Sequence, residues 1–152
     1  MQRINNYKIL SIILIFLSIF SFFLGFCLNE NSAGAGTYGG DWDIGWKNIQ
    51  VILNNDLNAA LSHPDYRTNR TPLIYLLHKI FNPFAYTEVG YRTSSFVISL
   101  VGPLLFYFCL RQKFRMEDGL LLSLIASIIF LSPYYRTSAY WAFEENYGVI
   151  TL

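Results

Sequence analysis

Asp41 and Asp43 alternate with Trp42, stand just before Trp46, and follow a glycine-rich approach that ends in Gly39-Gly40. A carboxylate in such a setting can take a proton from a hydroxyl, and an indole face can seat a sugar ring. Downstream, Arg67, Arg70 and Lys79 flank a second polar stretch and offer cationic contacts for a phosphate. Glu144 and Glu145 supply a second acid, or carboxylates to share a divalent ion such as Mg²⁺ or Mn²⁺. Together these are the parts of a group transfer from a phosphate-linked lipid: a base, cations for the leaving phosphate, and flat walls. Each residue type also has an ordinary use. Exposed Asp caps helices, Arg and Lys snorkel along apolar surfaces, and Trp and Tyr gather at membrane interfaces.

The segments that must position these residues are set by apolar runs. The chain of 152 residues is 53% hydrophobic and only 14% charged, with its charges confined to islands, which is the distribution of a membrane protein. The expected fold is an all-α membrane protein in one domain, 1–152. Three spans are expected, at about 9–28, 93–110 and 119–135, with the start of a fourth from 147. Twenty helical residues rise ~30 Å, enough for a bilayer core. A cleavable leader competes for the first run. Its apolar core would be shorter, and Cys27-Leu28-Asn29-Glu30 lacks a small-residue site, although Ala33-Gly34-Ala35 supplies one.

Basic islands orient the spans. Arg3 and Lys8 precede the first run, and Arg111, Lys113 and Arg115 follow the second. The positive-inside rule places both on the cytoplasmic side, so 29–92 and 136–146 face outward. A net charge of +1 argues for no nucleic acid partner. Cys27 and Cys109 fall at opposite membrane faces, too far apart to pair, and no Cys/His spacing suggests zinc.

The outer loop 29–92 carries six of the ten carboxylates, five of the eleven basic residues and both histidines. Two helices are expected in it. The first runs from about Asp43 to Leu61, with Trp46, Ile49, Leu53, Leu57, Ala60 and Leu61 on one face and Asn48, Asn54, Asn55 and Asn58 largely elsewhere. It fits either the membrane interface or the loop's own small core. Asp43 at its start has a capping role open to it. The second begins at Thr71-Pro72, runs through Leu73–Phe81 and stops at Asn82-Pro83. It is too short to span, which leaves an interfacial or re-entrant position. Asn69-Arg70-Thr71 has the form of a glycosylation acceptor.

Three motifs carry a family resemblance: Gly40-Asp41-Trp42-Asp43, then Arg70-Thr71-Pro72-Leu73-Ile74-Tyr75-Leu76-Leu77, then Leu131-Ser132-Pro133-Tyr134-Tyr135-Arg136 followed by Glu144-Glu145. In this order the chain resembles the N-terminal portion of the GT-C superfamily of membrane glycosyltransferases, in its polyprenyl-phosphate-sugar branches, the protein O-mannosyltransferases and aminoarabinose transferases. The resemblance implies an inverting sugar transfer on the outer face, with the early Asp as base and a later acid helping to hold a divalent metal. The family often has adjacent acids where this chain has Asp41-Trp42-Asp43, so either Asp fits the base. Asp41 follows Gly39-Gly40, which frees the backbone to turn its side chain, and it is the first choice. Family members have many more spans. The expectation is therefore a piece that needs further spans from elsewhere, in a longer chain or a partner. A small non-enzymatic membrane protein, packed on a larger partner, is the rival reading.

Overall fold

The computed structural model describes residues 2–34, 36, 40–68, 72–114 and 118–151, the side chains of 2–5 and 149–151 excepted. Among them every regular element is helical. Helix α1 is Gln2–Cys27. It ends as apolar helices commonly do: Asn29 takes a left-handed conformation (φ 53°), and the Glu30 N–H reaches back to the Gly25 carbonyl at 2.9 Å. The predicted first span thus lies within α1, where Asn6–Cys27 is long and apolar enough to cross a membrane.

The first loop helix is shorter than expected and is divided. Helix α2 is Asp41–Asn54 and α3 is Leu57–Leu61. The break falls at Asn55-Asp56 because Asp56 caps the next helix, accepting the Ala59 N–H at 3.0 Å. Leu57 and Leu61, expected on the apolar face, are exposed beyond this break. Asn48, expected on the polar face, is 1% exposed. At the start of α2, Gly40 is the N-cap and no side chain caps, so Asp43 is not the capping residue. It lies with Asp41 in the first turn, where negative charge complements the helix dipole.

Helix α4 is Leu73–Phe81, with Pro72 just before it. Thr71, the expected cap, lies outside the described residues, as do Asn69, Arg70 and Arg115. Helix α5, Glu88–Ser99, and α6, Val101–Phe114, join into one candidate span of 27 residues, Glu88–Phe114. It starts earlier than the expected 93, so Arg92 belongs to a helix and not to the loop. The joint at Leu100 has a cause. Pro103 has no N–H to give the Ser99 carbonyl, and the Tyr135 hydroxyl donates to that carbonyl instead. A side chain on Gly102 would meet the same hydroxyl, its Cβ at 2.7 Å.

The third expected span does not run straight. Helix α7, Gly119–Ser127, is capped by Asp118, which accepts the Leu120 and Leu121 N–H groups. It tightens into a 3₁₀ turn, Ile128–Leu131, and then bends by 67° into α8, Pro133–Tyr140. Among the described residues two helices are therefore long and apolar enough to cross a membrane, and a third crossing counts only if the bent pair is one span. Pro133, which starts α8, and the Ser132 side chain, which caps it, fix the bend. Helix α9, Glu145–Thr151, covers the expected fourth run.

Aromatic packing holds these elements together. Phe22 of α1 is fully buried, with Phe130 at 4.8 Å and Phe96 and Tyr140 at 5.2 Å between ring centroids. A second cluster joins the loop to the spans. Trp42 stacks on Trp46 at 5.8 Å and meets the Trp141 edge at 5.8 Å. The Arg92 guanidinium lies over Trp141 at 4.1 Å and donates to the Tyr140 carbonyl and the Asn29 side chain.

Candidate functional site

A cavity of about 840 Å³ opens between the start of α2, the 67–68 segment, Tyr75 of α4, the 3₁₀–α8 bend and the turn into α9. Its size is that of a small-molecule site. Four of the residues singled out above line it: Asp41, Arg67, Glu144 and Glu145. They come from three segments, the furthest of them about a hundred positions apart in the chain.

The floor is a chain of hydrogen bonds. The Arg67 N–H donates to Asn48 Oδ1 at 2.9 Å. That orients the amide so that its NH₂ group is the end left for the Tyr75 phenol, where it works to lower the phenol's pKa. The Tyr75 hydroxyl in turn donates to Glu144 Oε1 at 2.5 Å. Burial, then the bonded Glu144 carboxylate and its charge, hold the Tyr75 hydroxyl well above its ordinary pKa. Tyr75 is therefore a proton donor at any working pH. Tyr66, edge-on to Tyr75 at 6.5 Å, is raised too, by burial and then by the charge of Glu144. On the far wall the Ala33 N–H donates to Thr137 Oγ1 at 3.1 Å, tying the segment after α1 to α8.

The remaining expected residues lie elsewhere. Lys79 turns away from the cavity. Its ammonium donates to the Ile52 and Asn55 carbonyls at 2.8 and 2.6 Å, satisfying the end of α2. Its assignment to phosphate binding is thus corrected to a helix-end contact. Trp42 is 1% exposed and neither it nor Trp46 lines the cavity, so the indoles belong to the core and not to a sugar platform. Asp43 is half-buried in the first turn of α2 and is not part of the cavity lining. Arg70 falls outside the described residues.

The cavity's own flat walls are Tyr75, Tyr134, Tyr135 and Phe143, with Ile44 and Ile129 beside them. Sequence reasoning passed over Tyr75 and Asn48. A tyrosine in a Leu-rich helix and an asparagine among other asparagines carry no local signal; only the fold brings them against Glu144 and Arg67. The carboxylates of the cavity do not converge as an all-protein metal site, and no such cluster of three ligands exists among the described residues. Mg²⁺ is commonly held by only one or two carboxylates, with water and substrate phosphate oxygens completing its shell, and Glu144 and Glu145 are the adjacent carboxylates of this lining.

Comparison with protein families, curated proteins and solved structures finds no match for this chain.

Proposed function

We propose that this cavity is the sugar-transfer site of a membrane glycosyltransferase that uses a polyprenyl-phosphate sugar on the outer membrane face. The observation that carries the proposal is the meeting of Asp41, Arg67 and Glu144 in one cavity of a chain with two candidate spans. The motif order that resembles GT-C enzymes supports it, and so does the distribution of basic islands, for which the positive-inside rule favours an outward-facing cavity.

The chemistry is a single displacement. The acceptor oxygen bonds to the anomeric carbon as the carbon–oxygen bond to the lipid phosphate breaks. The acceptor proton passes to the Asp41 carboxylate, and the electron pair leaves with the phosphate. Arg67, exposed in the cavity, meets the charge that develops there. Tyr134 and Phe143 offer faces to the sugar. Glu144 and Glu145 would be the residues to hold a divalent ion, whose contribution is to neutralise the departing phosphate.

The test is transfer of a radiolabelled sugar from polyprenyl phosphate in membranes carrying the full chain. Asp41→Asn is expected to lower transfer by ~10²–10⁴-fold. No transfer by the unaltered chain, with or without added membrane partners, would favour the non-enzymatic subunit. Equal transfer by Asp41→Asn would remove Asp41 from the chemistry.

A further inference from the structure

A second, smaller cavity of about 280 Å³ lies between α4 and α5. Its walls are Ile74, Leu77 and Phe81 of α4 and Ile98 of α5; its floor is His78, Asn82 and Tyr147. We infer that this groove is a binding site for one acyl chain of a membrane lipid.

The floor is polar by residue type and closed by bonding. The Phe84 N–H donates to Asn82 Oδ1 at 3.0 Å, which turns the Asn82 NH₂ group toward His78. His78 Nδ1 therefore accepts, at 2.8 Å, and Nε2 carries the proton. Nε2 donates to the Tyr147 hydroxyl at 2.7 Å, and that hydroxyl pairs with Ser95 at 2.8 Å. The second Asn82 N–H goes to Ser94 at 2.6 Å. Both ring nitrogens, the amide and the phenol are thus engaged with one another. A polar ligand would have to break these bonds to be recognised, whereas an apolar one leaves them intact.

The mouth of the groove has the same character. Leu73, Leu77, Ile80, Phe81, Phe84 and Val89 are between 41% and 76% exposed along α4 and the corner into α5. Lys79, the cation in that stretch, is turned inward to the end of α2. This apolar face runs directly into the candidate span that starts at Glu88, the half-buried acid at its edge. Continuity with a span places lipid, not water, against it, and an exposed apolar face of this size needs such a neighbour.

The experiment is photocrosslinking of the full chain in phosphatidylcholine vesicles that contain a phosphatidylcholine with a diazirine in its acyl chain. Adducts are mapped by mass spectrometry, with Phe108, exposed on α6, as the reference for ordinary lipid contact. The expected result is adducts on Ile74 or Ile98 at least as frequent as on Phe108. Filling the groove by Ile98→Trp should cut the Ile74 adducts at least fivefold and leave Phe108 unchanged. Leu77→Trp, filling it from the exposed rim, should do the same if Ile98→Trp fails to insert. Absence of adducts on both Ile74 and Ile98, crosslinks to a second protein there, or adducts that persist in both filled variants would each overturn the assignment.

Discussion

Arg136, Glu30 and Tyr140 at the seam of α1 and α8 are the same residue types as Arg67, Glu144 and Tyr75 in the large cavity. At the seam their terminal polar atoms are engaged, and only the buried Arg136 Nε is left over among the three side chains. The Arg136 guanidinium bonds Glu30, the Ser21 hydroxyl and backbone carbonyls, and the Tyr140 hydroxyl donates to the Phe22 carbonyl at 2.6 Å. Gly25 makes this approach close: a Cβ there would stand 2.5 to 2.7 Å from all three side chains. In the cavity the Tyr75 hydroxyl is bonded to Glu144, while Asp41, Arg67 and Glu145 keep exposed positions on its lining. The lesson is that charge and aromaticity assign no role by themselves. What decides is whether the polar atoms have been consumed by neighbours.

The strongest way to break this contrast is at the seam. Arg136→Ala would leave Glu30 half-buried without its cation and free two α1 contacts. Removing one partner of a buried pair costs ~3–5 kcal/mol. Unfolding in detergent micelles, followed by circular dichroism, is expected to show a loss of that order. A change under ~1 kcal/mol would mean that water satisfies Glu30 and that the seam is no tighter than the cavity.

A smaller effect is expected from His78. Burial pushes its pKa down to about 4. The unfolded chain takes up this proton near pH 6.5, and the folded chain does so only at much lower pH. Between these values the unfolded state binds more protons, so stability falls as the pH falls. From pH 7.5 to pH 5 the loss should be about 2 kcal/mol. Glu30 does not confound this window. Burial works to raise its pKa, but the hydrogen bonds and charge of Arg136, with Ser32, hold it below its ordinary value, so its contribution is lost only below about pH 4.5. His78→Gln should remove most of the difference between the two pH values. An unchanged difference would assign the acid sensitivity to other groups.

These contrasts mark what the sequence could reveal. The apolar runs located α1 and the span Glu88–Phe114, because length and hydropathy alone decide what suits a bilayer. Asn82-Pro83 stopped α4 where backbone chemistry requires. The bend before Pro133 was missed because an uncharged run reads the same whether straight or broken at a Ser-Pro cap. Asp41, Arg67, Glu144 and Glu145 were legible as candidates because acids and cations stand out in an apolar chain. Lys79 stood out equally and was misplaced, since its partners are two carbonyls that carry no mark in the sequence. Trp42 and Trp46 misled for a related reason. An indole beside an acid looks the same whether it faces a ligand or, as here, Tyr91 and Trp141.

The smallest expected stability effect gives the sharpest comparison, because it sets neighbouring residues of α2 against each other. Trp42 is 1% exposed and Asp41 is exposed. Trp42→Ala deletes a core ring and should cost ~3–5 kcal/mol. Asp41→Asn keeps the shape of the side chain and removes only its charge. Gly40 holds the N-cap without a side-chain bond, and Asp43 keeps one negative charge in the first turn. What remains is part of the dipole contribution of Asp41, at most a few tenths of a kcal/mol at an exposed position. Unfolding midpoints of Asp41→Asn and the unaltered chain are therefore expected to coincide, while lipid-linked sugar transfer separates them. A clear drop in stability for Asp41→Asn would show that the carboxylate is holding the fold. The cavity would then be another seam, and the distinction between held and available groups would fail at the residue on which the proposed chemistry depends.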